Sequence, residues 1–380
     1  MSNQAQRKRI AHLVIALDNG GLENLVCRWT VHRNKRTPNS TCIICLDHTG
    51  ELASDLNNTQ VICVDAQRSR FPYDREAVRR IADICSKEKI QLIHSHNLVA
   101  HQYGALAARS KGIAHIQTLH GFNMHCRNIK ERIRARIMGR LTPMHTAVSE
   151  KVGDFMQNFY SIPRSRIQVI ANGVDPHHAS EPEVINKIRS ELSIPNDAVV
   201  LGSVGRLAHV KGWDIFLPVF AKLIQQHELG KAQPLHLVLV GDGPDRESIE
   251  SQADELNISK HLHFAGFKNE CGPYYDLFDI FLMPSRSEGL SVALLEAMAA
   301  GCPSIATAVG EHTKLLKESQ SGTLLDASDA SDWLEIISET INNQIALSEM
   351  GEKAKRYVEA HYTQEKTMSA FESLYNNLTN

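Results

Sequence analysis

The chain lacks any apolar run of about 18 residues, so no membrane-spanning helix is expected. It lacks the G-x-x-x-x-G-K-S/T loop, which excludes a P-loop nucleotide hydrolase. No Asp-x-Asp pair occurs, and no resident metal or cofactor is expected. Its eight cysteines follow no framework spacing. Cys42 and Cys45 form a C-x-x-C, but inside Thr41-Cys42-Ile43-Ile44-Cys45-Leu46, which reads as a strand. Residues three apart on a strand point to opposite faces, so reduced, buried thiols are expected, not a disulfide or a zinc pair.

Net charge is nearly absent as well, at −2, but the halves differ. Residues 1–178 carry 25 Lys+Arg against 14 Asp+Glu, a balance of +11; the remainder carries 16 against 29, or −13. A basic first half fits an anionic surface or acceptor. Attraction between the two halves accounts for the same asymmetry. A length of 380 residues with 42% hydrophobic and 22% charged residues reads as an ordinary globular enzyme of two domains.

What is present is alternation. Short apolar runs at Ile10–Ala16, Thr41–Leu46, Gln60–Val64, Ile90–His94, Ile113–Leu119, Met144–Val148 and Ile167–Ile170 alternate with helical stretches. The run at residues 10–17 is expected to be a first buried strand, not a signal peptide. A second series follows the polar, proline-bounded linker Pro176–Pro182, with strands at Ala198–Val204, His236–Val240, His261–Phe264, Ile280–Met283 and Pro303–Ala306. The last helices are expected over Ala330–Asn342, Ile345–Ala360 and Gln364–Asn377. The pattern predicts an α/β chain with two doubly wound parallel sheets: a first domain over residues 1–178 and a second over 183–362. In such sheets ligands sit at the carboxyl ends of strands.

The polar residues gather at those ends. Gly20-Gly21 follows the first strand and permits close backbone approach to a ligand. His94-Ser95-His96-Asn97 and His120-Gly121-Phe122-Asn123 end two others. His94 and His96 share a face, which suits either a metal pair or hydrogen-bonded core histidines. His120, beside a glycine, is the functional candidate. Over Arg127–Arg140, Ile129, Ile133 and Ile137 recur every four residues amid six basic residues. This is a basic amphipathic helix, either lying on anionic lipid or packed on its sheet by the isoleucine stripe.

In the second half, Val204-Gly205-Arg206 leads to Lys211-Gly212, two cations suited to a diphosphate. Val240-Gly241-Asp242-Gly243-Pro244 ends the next strand, with proline at the first helical position. The stretch the chain is organised around is Pro284–Gly301: after the strand Ile280–Met283 comes a tight loop with Glu288, then helix-forming residues from Leu290 to Ala300 containing Glu296. A helix opening at a strand end presents free N–H groups to an anion.

These pieces, in this order, resemble glycosyltransferase family 4: Gly20-Gly21-Leu22-Glu23, His120-Gly121, Asn172-Gly173-Val174-Asp175, Gly205-Arg206 with Lys211-Gly212, Val240–Pro244, and Glu288 with Glu296 eight positions on. The resemblance implies a GT-B fold, two Rossmann-like domains facing each other across a deep cleft, and retaining transfer of a hexose-type sugar from a nucleotide-diphosphate donor. It implies that Arg206 and Lys211 bind the diphosphate with the N–H groups of Gly289, Leu290 and Ser291. Glu288 would contact the sugar hydroxyls, Glu296 the ribose, and the loop at Gly266 and Phe267 the base. Gly21 would approach the phosphate and His120 the sugar. The final helix, 364–380, would return to the first domain. The chain departs from many relatives at Val309-Gly310-Glu311, where they carry two glycines in succession. The resemblance implies a nucleotide-sugar donor and an acceptor as partners, and the basic first half suits a lipid-linked or anionic acceptor; the expected location is the cytoplasm, either free or at the inner face of the membrane, and nucleic acid is not expected. The rival readings are a nucleotide-sugar epimerase and a silent nucleotide-sugar-binding protein.

Overall fold

The structure, a computed structural model, describes residues 8–67, 73–122, 129–230 and 232–379. It divides into two compact units: one runs to Ala171 and regains the chain at Thr367, the other spans Asn172–Lys366.

In the first unit, strands β1 (Ile10–Val14), β2 (Thr41–Cys45), β3 (Val61–Cys63), β4 (Leu92–His96), β5 (Ala114–Leu119), β6 (Met144–Ala147) and β7 (Ile167–Val169) alternate with helices α1 (Gly21–Arg36), α2 (Arg75–Lys87), α3 (Asn97–Lys111), α4 (Ile129–Leu141) and α5 (Glu150–Tyr160). The strands pair in parallel in the order β3-β2-β1-β4-β5-β6-β7. Every residue of β1, β2 and β4 is buried, as expected for strands covered on both faces. One layer of the core packs Leu13, Ile44, Ile81, Ile93, Tyr103 and Ala107. Cys42 and Cys45 both lie inside β2 as free thiols; burial raises them to about 11 and about 12, so neither is a ready nucleophile.

The second unit opens with α6 (Pro182–Glu191). Strands β8 (Val199–Val204), β9 (Leu235–Val240), β10 (Leu262–Gly266), β11 (Ile280–Met283), β12 (Ser304–Thr307) and β13 (Gly322–Leu325) follow. Between and after them run α7 (Trp213–Leu229), α8 (Arg246–Glu255), α9 (Gly272–Leu277), α10 (Val292–Ala299), α11 (His312–Ser319), α12 (Trp333–Asn342) and α13 (Gln344–His361). The sheet order is β10-β9-β8-β11-β12-β13, again parallel. Leu201, Phe216, Phe220, Leu237, Leu282 and Ile305 fill its core. The last helix, α14 (Gln364–Leu378), lies with the first unit from Thr367 onward. There Phe371 packs on Trp29, Tyr375 meets His94, and Glu372 pairs with Arg33 at 2.6 Å.

Each sheet has a point where strand order reverses, between β1 and β4 and between β8 and β11. At such a point neighbouring loops diverge and leave room for a ligand.

Three local expectations change. The strand read at Ile90–His94 runs from Leu92 to His96, which brings His96 into the sheet. A sixth strand, β13, is present in the second unit; its four residues follow Ser319-Gln320-Ser321 and three of them are only half-buried, so the apolar signal is weak. The isoleucine stripe does not pack on the sheet. Ile129, Ile133 and Ile137 are 62%, 53% and 49% exposed, because α4 turns Ala135 and Gly139 inward. A Cβ at Gly139 would approach the Ile162 side chain to 3.1 Å, so that close packing selects the other face for solvent. Arg127 and Asn128, read as the start of this helix, lie outside the described residues, as does Asn123.

Candidate functional site

In the second unit four loops converge at the carboxyl ends of β8, β9, β11 and β12. Glycines allow the approach. Gly212 has φ +73, and a Cβ there would lie 2.2 Å from the Pro284 carbonyl oxygen. Gly310 has φ +51, and its Cβ would lie 2.0 Å from the Glu288 carbonyl oxygen. The first brings the Lys211 loop onto the Glu288 loop; the second lets Val309-Gly310-Glu311 close over it, with the Glu311 N–H donating to Gly289 O at 3.1 Å.

Lys211 Nζ then reaches Glu288 Oε1 at 2.7 Å, and the Ser285 hydroxyl donates to the same oxygen at 2.8 Å. Both charged side chains are largely covered, at 18% and 14% exposure. Burial by itself would raise the Glu288 carboxyl. Attraction to Lys211 and His312, with the hydrogen bonds from Lys211 and Ser285, more than offsets it and holds the group below its usual range. Glu288 is therefore a largely covered, ionised acceptor.

Ser291 caps α10, accepting from the Leu294 N–H at 3.3 Å, so the helix begins at Val292 and not at Leu290. The N–H groups of Gly289, Leu290 and Ser291 donate to no described residue. They are donors ahead of a helix N-terminus, where an anion is favoured. Glu296, in the second turn, accepts from the Tyr275 hydroxyl at 2.9 Å. Gly266 ends β10 at φ +71 with open space where a Cβ would be, and Phe267 beside it is half-buried.

Arg206 follows Gly205 but is exposed, and it forms no ion pair among the described residues. The structure thus pairs Lys211 with Glu288, and among the described residues Arg206 bonds to neither. Sequence reasoning missed Arg286 and Asp214. Their side chains form a two-pronged pair at 2.7 and 2.6 Å, and Arg286 also donates to the His209 carbonyl at 2.7 Å. This pair fastens the Lys211 loop to the Glu288 loop. Arg286 stood within the stretch singled out above, but nothing in sequence links it to a residue 72 positions away.

In the first unit Gly20 precedes α1, and a Cβ at Gly21 would meet nothing within 4 Å, so its surface is open. His120 follows β5, its N–H donating to Asn97 Oδ1 at 3.3 Å. His120 Nε2 shares a hydrogen bond with His96 Nδ1 at 3.0 Å, and His96 Nε2 shares another with His12 Nδ1 at 2.9 Å. Burial lowers His12 and His120 to about 3 and holds His96 well below its ordinary value, so all three rings are neutral. His94 is a core histidine, held by the Tyr375 hydroxyl at 2.8 Å and Thr118 Oγ1 at 2.6 Å. His12, His94 and His96 come close enough to surround a metal ion, with β1 supplying the third histidine that sequence could not place. Five of their six nitrogens are already engaged, with one another, His120, Tyr375 and Thr118, which is hydrogen-bonding chemistry, not an open ligand set.

A separate cavity of about 540 Å³, bordered by Arg9, Ser40, Glu88, Lys89, Gln91 and Lys111, lies at the amino ends of β1 and β4. That is the end opposite His120 and Gly21.

Residues 19–178 match the family described as Glycosyltransferase Family 4, and residues 184–357 match Glycosyl transferases group 1. N-acetyl-alpha-D-glucosaminyl L-malate synthase of Bacillus anthracis is 24% identical over 309 residues, 80% of this chain and 79% of that protein. The O-antigen biosynthesis glycosyltransferase WclY of Escherichia coli is 26% identical over 220 residues, 58% of each. Among solved structures, HepE of Anabaena in complex with UDP and glucose aligns with a TM-score of 0.83 at 18% identity, over 98% of this chain and 100% of that one. The architecture is that of the GT-B glycosyltransferases, two Rossmann-like parallel-sheet domains.

Proposed function

The chain belongs to glycosyltransferase family 4, and from that premise we propose that it moves a hexose-type sugar from a nucleotide-diphosphate donor to an acceptor hydroxyl with retention of configuration. The observation that carries this reading is the Lys211–Glu288 pair beside three N–H groups, at the head of α10, that donate to no described residue. A largely covered cation and a preorganised row of donors suit a diphosphate on which negative charge grows as the glycosidic bond breaks. Lys211 and the exposed Arg206 bind that diphosphate with the N–H groups of Gly289, Leu290 and Ser291. The charge is met by the chain's own cations, so no divalent ion is required.

Glu288, held ionised, accepts from the donor sugar's hydroxyls and stabilises the oxocarbenium-like state. Glu296 binds the ribose, and Gly266 with Phe267 frames the base. Gly21 approaches the phosphate, and His120 contacts the sugar. The bond from the anomeric carbon to the diphosphate oxygen breaks. The acceptor hydroxyl attacks from the same face and gives its proton to the departing phosphate oxygen. The first unit serves the acceptor and the second the donor.

The names of the relatives support a place in cell-surface polysaccharide or glycolipid assembly. The exposed isoleucines of α4, interleaved with Arg132, Arg134, Arg136 and Arg140, support peripheral contact with an anionic membrane. No helix among the described residues is long and apolar enough to cross one.

The test is a thermal-shift series with UDP-glucose, UDP-galactose, UDP-N-acetylglucosamine and GDP-mannose, followed by turnover with and without acceptors. A bound donor raises the melting temperature. Stabilisation followed by acceptor-dependent release of nucleoside diphosphate supports the proposal. Acceptor-free epimerisation, or binding with no turnover across the acceptors, rejects it.

A further inference from the structure

His12 stands in β1, His96 in β4, and His120 directly after β5, three neighbouring strands of the first sheet. β1 pairs with β4 so that His12 stands opposite His94, and β4 pairs with β5 so that His96 stands opposite Thr118. The rings of His12 and His96 lie 5.1 Å apart, and those of His96 and His120 5.3 Å apart. Two hydrogen bonds of 2.9 and 3.0 Å join the three rings end to end. His94 stands beside this chain but outside it, since Tyr375 and Thr118 take its two nitrogens.

Proton arithmetic constrains such a chain. Three neutral imidazoles carry three N–H groups among six nitrogens. Two N···N contacts need one proton each, so the third proton must sit at one end. Either every ring carries its proton on Nδ1, and His120 presents a donor at its outer nitrogen, or every ring carries it on Nε2, and His120 presents an acceptor. Reversing an end ring would leave one contact with two protons or with none, and reversing His96 would spoil both contacts. An unmade buried hydrogen bond of this kind disfavours that state by about 10- to 100-fold. The outer nitrogen of His120, Nδ1, has no partner among the described residues.

We propose that His12 and His96 are positioning residues that set the tautomer of His120, and with it whether His120 offers a donor or an acceptor to whatever it meets. Its bearing on catalysis rests on the reading that His120 contacts the donor sugar; the coupling between the rings does not.

The experiment uses the full chain labelled with nitrogen-15 at histidine, with tautomers read from long-range proton–nitrogen spectra. In the wild type, His12, His96 and His120 are expected to share one tautomer. His12→Phe keeps a planar ring but removes the first link, and the His96 and His120 signals are expected to shift toward a mixture. His12→Gln, whose amide can donate or accept, is expected to restore a single His120 state. Turnover of UDP-glucose, or of whichever sugar nucleotide in the thermal series stabilises the chain, is expected to fall about ten-fold in His12→Phe and to recover in His12→Gln.

Unlike tautomers among the three rings of the wild type overturn the proposal, as does an unchanged His120 in folded His12→Phe or a stoichiometric metal ion on His12, His94 and His96. If His12→Phe does not fold, the wild-type spectra decide. If the spectra show coupling but turnover is unchanged, the coupling stands, and the contact between His120 and the sugar is the reading that falls.

Discussion

Lys211 Nζ lies 2.7 Å from Glu288 Oε1, joining the loop after β8 to the loop after β11. The pair couples two assignments that sequence treats separately. Without the cation, Glu288 is a largely covered carboxylate whose desolvation is no longer offset; without the carboxylate, Lys211 loses the group that holds it over Gly205.

Lys211→Ala and Glu288→Gln are each expected to lower turnover by roughly 10²–10³-fold while leaving the circular dichroism of the fold in place. Steady-state kinetics on the two purified variants checks this. Wild-type rates in either folded variant would remove the assignment. Chelation by EDTA is expected to leave wild-type turnover unchanged; loss on chelation with recovery on adding manganese would overturn the claim that protein cations suffice.

Gly310 and Gly266 offer a matched comparison, since both have positive φ, +51 and +71. Alanine at 310 would drive its Cβ against the Glu288 carbonyl, whereas alanine at 266 meets open space. Gly310→Ala is expected to cost about 1–3 kcal/mol of stability and to abolish the thermal shift given by the donor. Gly266→Ala is expected to cost about 1 kcal/mol, from the backbone conformation alone. Urea unfolding of both variants measures the difference.

Histidines that burial holds neutral make stability depend on pH. Burial lowers His12, His115 and His120 to about 3 and His145 to about 4, and lowers His94, His96 and His101 well below 6.5. Above pH 6.5 the rings are neutral in both the folded and the unfolded chain, and stability is flat. As pH falls below 6.5 the unfolded chain takes up protons that the folded chain refuses, so stability is lost progressively toward the folded values near 3 to 4. Each ring contributes at most about 1.4 kcal/mol per pH unit in that window. Glu288, held below its ordinary value, adds to the loss in the same direction once pH falls below 4.5. The melting temperature is expected to be level from pH 7 to 8 and to fall steeply between 6 and 4. A level profile across pH 6 to 4 would show that the rings are not shielded as described.

The double variant Ile133→Ser, Ile137→Ser removes two exposed apolar side chains from α4 without touching the buried Ala135 and Gly139. Its affinity for phosphatidylglycerol vesicles is expected to drop about ten-fold or more, from the lost burial of the isoleucines. Wild-type binding is expected to weaken with salt and to be slight on phosphatidylcholine. Co-sedimentation measures both. Equal binding by the variant would show that α4 is not the contact.

Much of this molecule was legible from residue order. The alternation of apolar runs with helical stretches produced both parallel sheets, because strands covered on both faces must be continuously apolar. The Pro284–Gly301 unit was readable as strand, loop and helix for the same kind of reason, and Gly301 ends it at φ +75. Weak local signals failed where expected: β13 has four residues, and the exposed isoleucines of α4 look the same in sequence whether they meet a sheet or water.

Residue order by itself determined which side chains stand at strand ends, since periodicity and glycine placement are local properties. Partners were decided only by the tertiary structure. That Arg286 clasps Asp214, that Lys211 finds Glu288 while Arg206 does not, and that β1 sets His12 beside His96 all depend on strand order and register. Those follow from how whole sheets close their cores, a choice made over the entire chain and written in no single stretch of it.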